Sequence, residues 1–180
     1  MLTVTVLGIT APDSRPLFVA ALAVHVLAGM TSVGAGGLAA TARKGPGRHP
    51  LAGRVYLFGL AAIFVTASVM AAMRWRHDWH LFVIATVTAG AGTFGYLARR
   101  RARPGWMVWH GSAMGSSYIA LLTGFYVDNG PQLPVWDRLP HIAYWFLPAL
   151  VGVPLIVRAL FHNGALPRSR RLHEVAGVQR

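Results

Sequence analysis

The sequence predicts an all-α fold, a polytopic bundle of about five transmembrane helices with the N-terminus outside and the C-terminus inside. Three observations predict this fold. Five apolar stretches each approach the roughly 20 residues that cross a bilayer, and none of them contains an acidic residue. In addition, 54% of the 180 residues are hydrophobic and only 12% are charged. A soluble domain of this length would need many more charged side chains to cover its surface.

The first three spans are each bounded by residues that a bilayer excludes. The first span, 17–41, ends before a basic segment that contains helix-breaking glycines and prolines. The second, 55–73, ends at a polar link, 74–80, and the third, 81–98, ends at four arginines between positions 99 and 103. Charged side chains are expensive in hydrocarbon, so these segments mark the membrane surfaces.

The last two spans, 106–127 and 141–161, flank the longest loop, 128–140, which holds Asp137 and three prolines. An outer N-terminal tail, 1–16, precedes the five-helix domain 17–161. A basic tail, 162–180, follows that domain, and we expect it to lie in the cytoplasm.

The orientation follows from the basic residues between the spans. Clusters at 43–54, 99–103 and 158–171 share one side of a five-span chain, and the positive-inside rule places them in the cytoplasm. We therefore expect a multi-pass protein of the bacterial cytoplasmic (inner) membrane whose basic loops contact anionic lipid head groups. The net charge of +12 does not indicate nucleic-acid binding, because the arginines fall between apolar runs rather than along one face.

Small residues recur in three of the spans and predict close packing between helices. Bundle packing is one interpretation, since small residues allow helices to approach each other in lipid. The other interpretation is that these residues leave space for a flat cofactor, or form a contact with a membrane-protein partner or a second copy of the chain. The glycines concerned are Gly29, Gly34, Gly36, Gly37, Gly90, Gly92, Gly95, Gly111 and Gly115.

Histidines are the candidate cofactor ligands, because the chain has no cysteine and no membrane carboxylate. His25 and His110 lie inside spans, while His49 and His80 lie near span ends. A bundle with b-type haem would pair His49 with His110 at the inner side and His25 with His80 at the outer side. The alternative is that His25 and His110 each form a hydrogen bond to a neighbouring helix. A quinone head group is a further candidate ligand.

A second histidine group lies on the predicted outer rim. His77, His80 and His141 fall on the same side as three aspartates, and imidazole and carboxylate groups suit zinc or copper. His77 and His80 could chelate a metal together if the segment is helical. The simpler interpretation is that these histidines lie in loops and contact solvent.

The segment 44–56, with the pattern KG…H…GR-V-Y, resembles a signature of a bacterial family of small polytopic predicted membrane proteins of unknown function. Later, His110, Met114, Ser117 and Tyr118 resemble that family's H…M…SY stretch. The resemblance covers about residues 17–126. It implies a helical membrane bundle and no particular activity.

Two functional hypotheses remain open from the sequence. The first is an electron-transfer module that holds b-type haem or a quinone through His25 and His110, with His49 and His80 as further ligands. The second is a non-catalytic structural or assembly subunit of a larger membrane complex. No hydrolase, kinase or dinucleotide-binding motif is present, so the sequence leaves open whether the protein is an enzyme.

Overall fold

The computed structural model describes residues 5–6, 9–10, 13–134 and 136–166, and it confirms a helical bundle. Two short antiparallel strands, β1 (Thr5–Val6) and β2 (Ile9–Thr10), precede the helices and are absent from the sequence-based expectation. The predicted basic tail lies outside the described residues from position 167 onward. The five long helices are α1 (Pro16–Thr41), α2 (Arg48–Met73), α3 (Trp75–Arg101), α4 (Trp106–Asn129) and α5 (His141–His162).

Four of these helices, α1, α2, α3 and α5, are long and apolar enough to cross a membrane. The fourth helix of the chain, α4, has a similar length of 24 residues but contains more small polar residues, among them Ser112, Ser116 and Ser117. It packs against α1, α3 and α5, so part of its polar surface faces other helices. The chain is therefore an integral membrane protein of the helical class, and its orientation stays a prediction.

Two segments that the sequence placed outside the helices are helical. Residues 48–54 belong to α2, which begins at Arg48, and residues 75–80 belong to α3, which begins at Trp75. The basic, polar and aromatic side chains of these segments do not end a helix. Pro50 does not interrupt α2 either, because the first turn of a helix has no intrahelical partner for its N–H groups. As a result His49, expected in a loop, lies in the first turn of α2.

The helices α1 to α4 form a ring in which α2 and α4 face each other diagonally. Contacts join α1 to α2, α2 to α3, α3 to α4, and α4 back to α1. The centre contains Tyr56, Leu60 and Ile63 of α2, all buried. The last helix, α5, packs outside the ring against α4.

The predicted small-residue faces divide into two groups. A Cβ atom added at Gly36, Gly92 or Gly95 would collide with side chains of neighbouring helices, so these positions permit close helix packing. Gly111 and Gly115 likewise allow close packing against α5, because a Cβ atom at Gly111 would collide with Leu160 and one at Gly115 would collide with Ile156. In contrast, a Cβ atom at Gly29, Gly34 or Gly90 would meet nothing within 4 Å. The glycines of the second group therefore do not pack the described bundle.

Candidate functional site

The structure brings His49 and His110 together at one end of the bundle. His49 is the second residue of α2 and His110 is the fifth residue of α4, and both helices begin at this end. The centres of the two imidazole rings are 6.3 Å apart, and the ring planes are nearly perpendicular, at 82°. Both side chains are partly buried. This is the inner pair that the sequence predicted. We call this end of the bundle the basic end, because Arg43, Lys44, Arg48, Arg99 and Arg100 lie there.

A backbone carbonyl fixes the orientation of each ring. His49 Nδ1 lies 2.9 Å from the Ala39 carbonyl oxygen, and His110 Nδ1 lies 2.9 Å from the Gly95 carbonyl oxygen. A carbonyl oxygen only accepts, so in each neutral ring Nδ1 carries the proton and donates it. Each Nε2 therefore presents a lone pair. Each ring therefore has one nitrogen that can bind a hydrogen-bond donor, a cation or a metal ion.

Local helix features explain why these two carbonyls can accept. Ala39 lies in the last turn of α1, where carbonyl groups have no intrahelical partner. Gly95 has no side chain, which lets α4 approach α3 closely: a Cβ atom at Gly95 would lie 2.9 Å from Met114 Cγ and 3.2 Å from Met114 N. Met114 is one turn after His110 on the same face of α4. This close approach brings His110 Nδ1 within hydrogen-bond distance of the Gly95 carbonyl oxygen.

Positive charges surround the histidine pair. Lys44 Nζ donates to the Ala39 and Ala40 carbonyl oxygens at 3.0 and 2.7 Å, which satisfies the end of α1. Partial desolvation lowers the pKa of the Lys44 ammonium from its ordinary value. On the other side, the Arg99 guanidinium lies 4.5 Å from the centre of the Trp106 ring, and that ring lies 6.2 Å from His110. These cations would attract an anionic group bound beside the imidazoles.

A half-open cavity of about 440 Å³ lies between the end of α1 and the start of α2. Its lining includes Thr41, Arg43 and Arg48. Arg48 directly precedes His49 in the first turn of α2. The basic end therefore combines two oriented imidazoles, two guanidinium groups and open space.

The predicted outer pair, His25 with His80, is not joined by hydrogen bonding or ring stacking in the described part of the chain. His25 Nδ1 contacts Thr66 Oγ1 at 3.0 Å, whereas the His80 ring packs against Trp79. His25 is nine residues beyond the start of α1 and His80 is five beyond the start of α3. At 1.5 Å per residue, their depths differ by about 6 Å.

The outer-rim histidines are spread over two helices. His77 and His80 lie in the helical start of α3, and His141 begins α5 and packs against Tyr144. Asp78 pairs with Arg74, whose Nη1 is 3.6 Å from Asp78 Oδ2. Within the described residues, no three histidine or acidic side chains lie close enough together to hold one metal ion. Zinc or copper binding by His77, His80 and His141 stays a prediction.

A buried polar contact lies two helical turns from the histidine pair. Tyr56 Oη and Ser117 Oγ are 2.8 Å apart and join α2 to α4 across the centre of the bundle. Ser117 Oγ also contacts the Met114 carbonyl at 2.8 Å, so Ser117 donates to that carbonyl and accepts from Tyr56. In the sequence, Tyr56 and Ser117 were noted only as parts of the family-like motifs. The sequence feature that could have predicted their contact is the equal spacing: Tyr56 follows His49 by seven residues, and Ser117 follows His110 by seven residues.

No protein-family model, curated protein or solved structure matches this chain.

Proposed function

We propose that this integral membrane protein is an electron-transfer module that binds b-type haem between His49 and His110. The observation that carries the proposal is the pair of neighbouring imidazoles, whose ring centres are 6.3 Å apart and whose Nδ1 atoms are each held by a backbone carbonyl. Metal-ligating histidines usually donate their second ring nitrogen in this way, which fixes the tautomer and the ring orientation. Neutral imidazole is also a common axial ligand of haem iron.

The distance between the ring centres is compatible with both imidazoles binding one metal ion. A metal–imidazole bond is about 2.0–2.1 Å long, and the bonded nitrogen lies roughly 1.1 Å from the ring centre. Two imidazoles bound to the same metal would therefore have ring centres at most about 6.3 Å apart, and the 6.3 Å between His49 and His110 lies at this limit.

The residues around the pair fit the rest of a haem group. Arg43 and Arg48 line the adjacent cavity and are suited to bind the propionates through charge-assisted hydrogen bonds. Gly53, one turn after His49, would meet nothing within 4 Å if it had a Cβ atom, so a flat ring has room beside α2. Bound haem would supply one-electron transfer, and the protein would hold and orient it.

The location of the pair indicates where electrons would enter or leave. His49 and His110 lie within about 6 Å of the ends of their helices, so the haem would lie close to one membrane surface. With the predicted orientation this surface faces the cytoplasm of a bacterial cell. The exposed arginines there would also contact anionic lipid head groups. The segment 44–56 that resembles the family signature includes His49, and we propose that proteins with this signature use the same residue.

One observation favours the second candidate function, a structural or assembly subunit. Gly34 is exposed on α1, with open space in place of a packed neighbour. Small residues on an open helix face allow a second transmembrane helix to approach closely. A partner protein or another copy of this chain would occupy that face.

The visible absorption spectrum of the detergent-purified protein tests the haem proposal. We expect a Soret band as isolated, and sharpened α and β bands after dithionite reduction. His49→Ala and His110→Ala should each lose most of the bound haem, because each removes one of the two proposed ligands. His162→Ala is the matched control, since His162 is exposed at the end of α5, and it should keep the full spectrum.

Two results would contradict the haem proposal. One is a colourless wild-type protein from haem-replete cells. The other is a spectrum that the two ligand variants leave unchanged. A colourless protein that purifies with a stoichiometric membrane partner would support the subunit function instead.

A further inference from the structure

The tautomer of His25 is set by its contact with Thr66. His25 Nδ1 lies 3.0 Å from Thr66 Oγ1, and Thr66 Oγ1 lies 2.7 Å from the Ala62 carbonyl oxygen. The carbonyl can only accept, so the threonine hydroxyl gives its proton to Ala62. The same hydroxyl oxygen must then accept from His25. The proton of the neutral imidazole is therefore on Nδ1, and Nε2 is a hydrogen-bond acceptor.

This acceptor lies deep in α1 without a donor among the described residues. His25 is nine residues beyond the start of α1, which places it about 13 Å along the helix. The His25 side chain is partly buried. Among the described residues, the one fully buried side-chain nitrogen or oxygen without a hydrogen-bond partner is Ser32 Oγ, not an atom of His25. Hydrocarbon provides no donor for an imidazole nitrogen, so a bare Nε2 here is unfavourable.

Space is available next to the ring. Gly29 follows His25 by one helical turn on the same face of α1. A Cβ atom at Gly29 would meet nothing within 4 Å. A ligand that reaches Nε2 can therefore lie against the backbone of α1 at Gly29.

We propose that His25 Nε2 accepts a hydrogen bond from the phenolic hydroxyl of a lipid-soluble quinol. Such a ligand enters from the bilayer, carries the O–H donor that Nε2 requires, and has a flat ring that fits against a glycine. The choice of a quinol over another lipid alcohol rests on the proposed electron-transfer function. The conclusion that Nε2 accepts a hydrogen bond does not rest on that function. The oxidised quinone has only carbonyl acceptors, so this site distinguishes the two forms.

Equilibrium binding of decylubiquinol to the full-length protein in lipid nanodiscs, under anaerobic conditions, tests this site. We expect the wild-type protein to bind decylubiquinol about tenfold more tightly than decylubiquinone, the effect of one added hydrogen bond in place of an unpaired acceptor. His25→Phe should weaken quinol binding about tenfold and leave quinone binding nearly unchanged. His162→Ala, at the exposed end of α5, is the control that should change neither.

Thr66→Val provides a second variant that keeps the histidine. Valine has a similar shape but removes the acceptor for Nδ1, which frees the proton to move to Nε2 and turns that nitrogen into a donor. The preference should then shift from quinol toward quinone. Misfolding would weaken both ligands together and would not reverse their order.

Equal binding of quinol and quinone by the wild-type protein would overturn the proposal, as would quinol binding that His25→Phe leaves intact. Dioleoylglycerol is a further probe, and binding of it as tightly as the quinol would show a general hydroxyl-lipid site instead of a quinol site. These titrations do not depend on haem. A colourless protein with His25-dependent quinol binding would refute only the haem proposal, and a haem spectrum without quinol binding would refute only this one.

Discussion

The same substitution at two glycines of α3 should stabilise the protein at one position and not at the other. Gly95→Ala adds a methyl group where Met114 already lies, with contacts of 2.9 Å to Cγ, 3.0 Å to Sδ and 3.2 Å to the backbone nitrogen. The side-chain atoms can move, but the backbone nitrogen moves only if α4 shifts. Gly90→Ala is the matched control, because its methyl group would meet nothing within 4 Å.

The magnitudes follow from two opposing contributions. Replacing glycine by alanine inside a helix stabilises it by about 1 kcal/mol at either position. Overpacking at Gly95 costs about 1–3 kcal/mol, so we expect Gly95→Ala to be less stable than Gly90→Ala by about 1–3 kcal/mol. Gly95→Ala should also weaken haem binding, since the Gly95 carbonyl orients His110.

Unfolding of the detergent-solubilised protein in increasing dodecyl sulfate, followed by circular dichroism, measures the two stabilities under identical conditions. If Gly95→Ala stabilised the protein as much as Gly90→Ala, the close packing of α3 against α4 would be wrong. The orientation of His110 would then lose its structural basis.

Three further predictions concern polar groups. Tyr56→Phe removes the buried hydrogen bond to Ser117 and should cost about 1 kcal/mol of unfolding free energy in the same assay. Ser32→Ala should stabilise by about 1 kcal/mol instead, because the Ser32 hydroxyl is buried without a partner among the described residues. Hydrogen bonds from Arg15 hold the pKa of Asp13 below its ordinary value of 3.8. Their stabilising contribution is therefore present above about pH 4 and is lost at lower pH, and Asp13→Asn should remove this pH dependence when thermal unfolding is compared from pH 3 to pH 6.

The membrane helices were predictable because hydrocarbon imposes a strict rule on side chains. Any segment that crosses the bilayer must be apolar and about 20 residues long, and this requirement is visible in composition alone. The helix ends were less predictable, because a helix extends past the hydrocarbon until its backbone is interrupted. The segment 74–80 illustrates this difference: its polar side chains indicated a loop, yet all of it except Arg74 is part of α3.

The sequence allowed hydrogen bonds from His25 and His110 to neighbouring helices, and the structure shows such bonds to α2 and α3, but the partner atoms could not be predicted from the sequence. Backbone carbonyls accept from His49 and His110, and a carbonyl carries no residue-specific signal. Whether a carbonyl is available depends on where a helix ends or how closely two helices approach. The separation of His25 from His80 had the same origin, since their relative depth depends on where α1 and α3 begin.

The proximity of His49 and His110 is indicated in the sequence by the equal spacing of residues along α2 and α4. Both helices begin at the basic end and run in the same direction, so residues at a constant offset remain level with each other along the bundle. His49 and His110 differ by 61 positions, as do Tyr56 and Ser117, which form a hydrogen bond. Seven residues are close to two turns of a helix, so both pairs lie on the same diagonal seam about 10 Å apart. Seven residues deeper, α2 presents the buried apolar Ile63. The polar part of the seam is therefore confined to the basic end, where the Tyr56–Ser117 contact holds α2 and α4 in the register that keeps the two imidazoles level with each other.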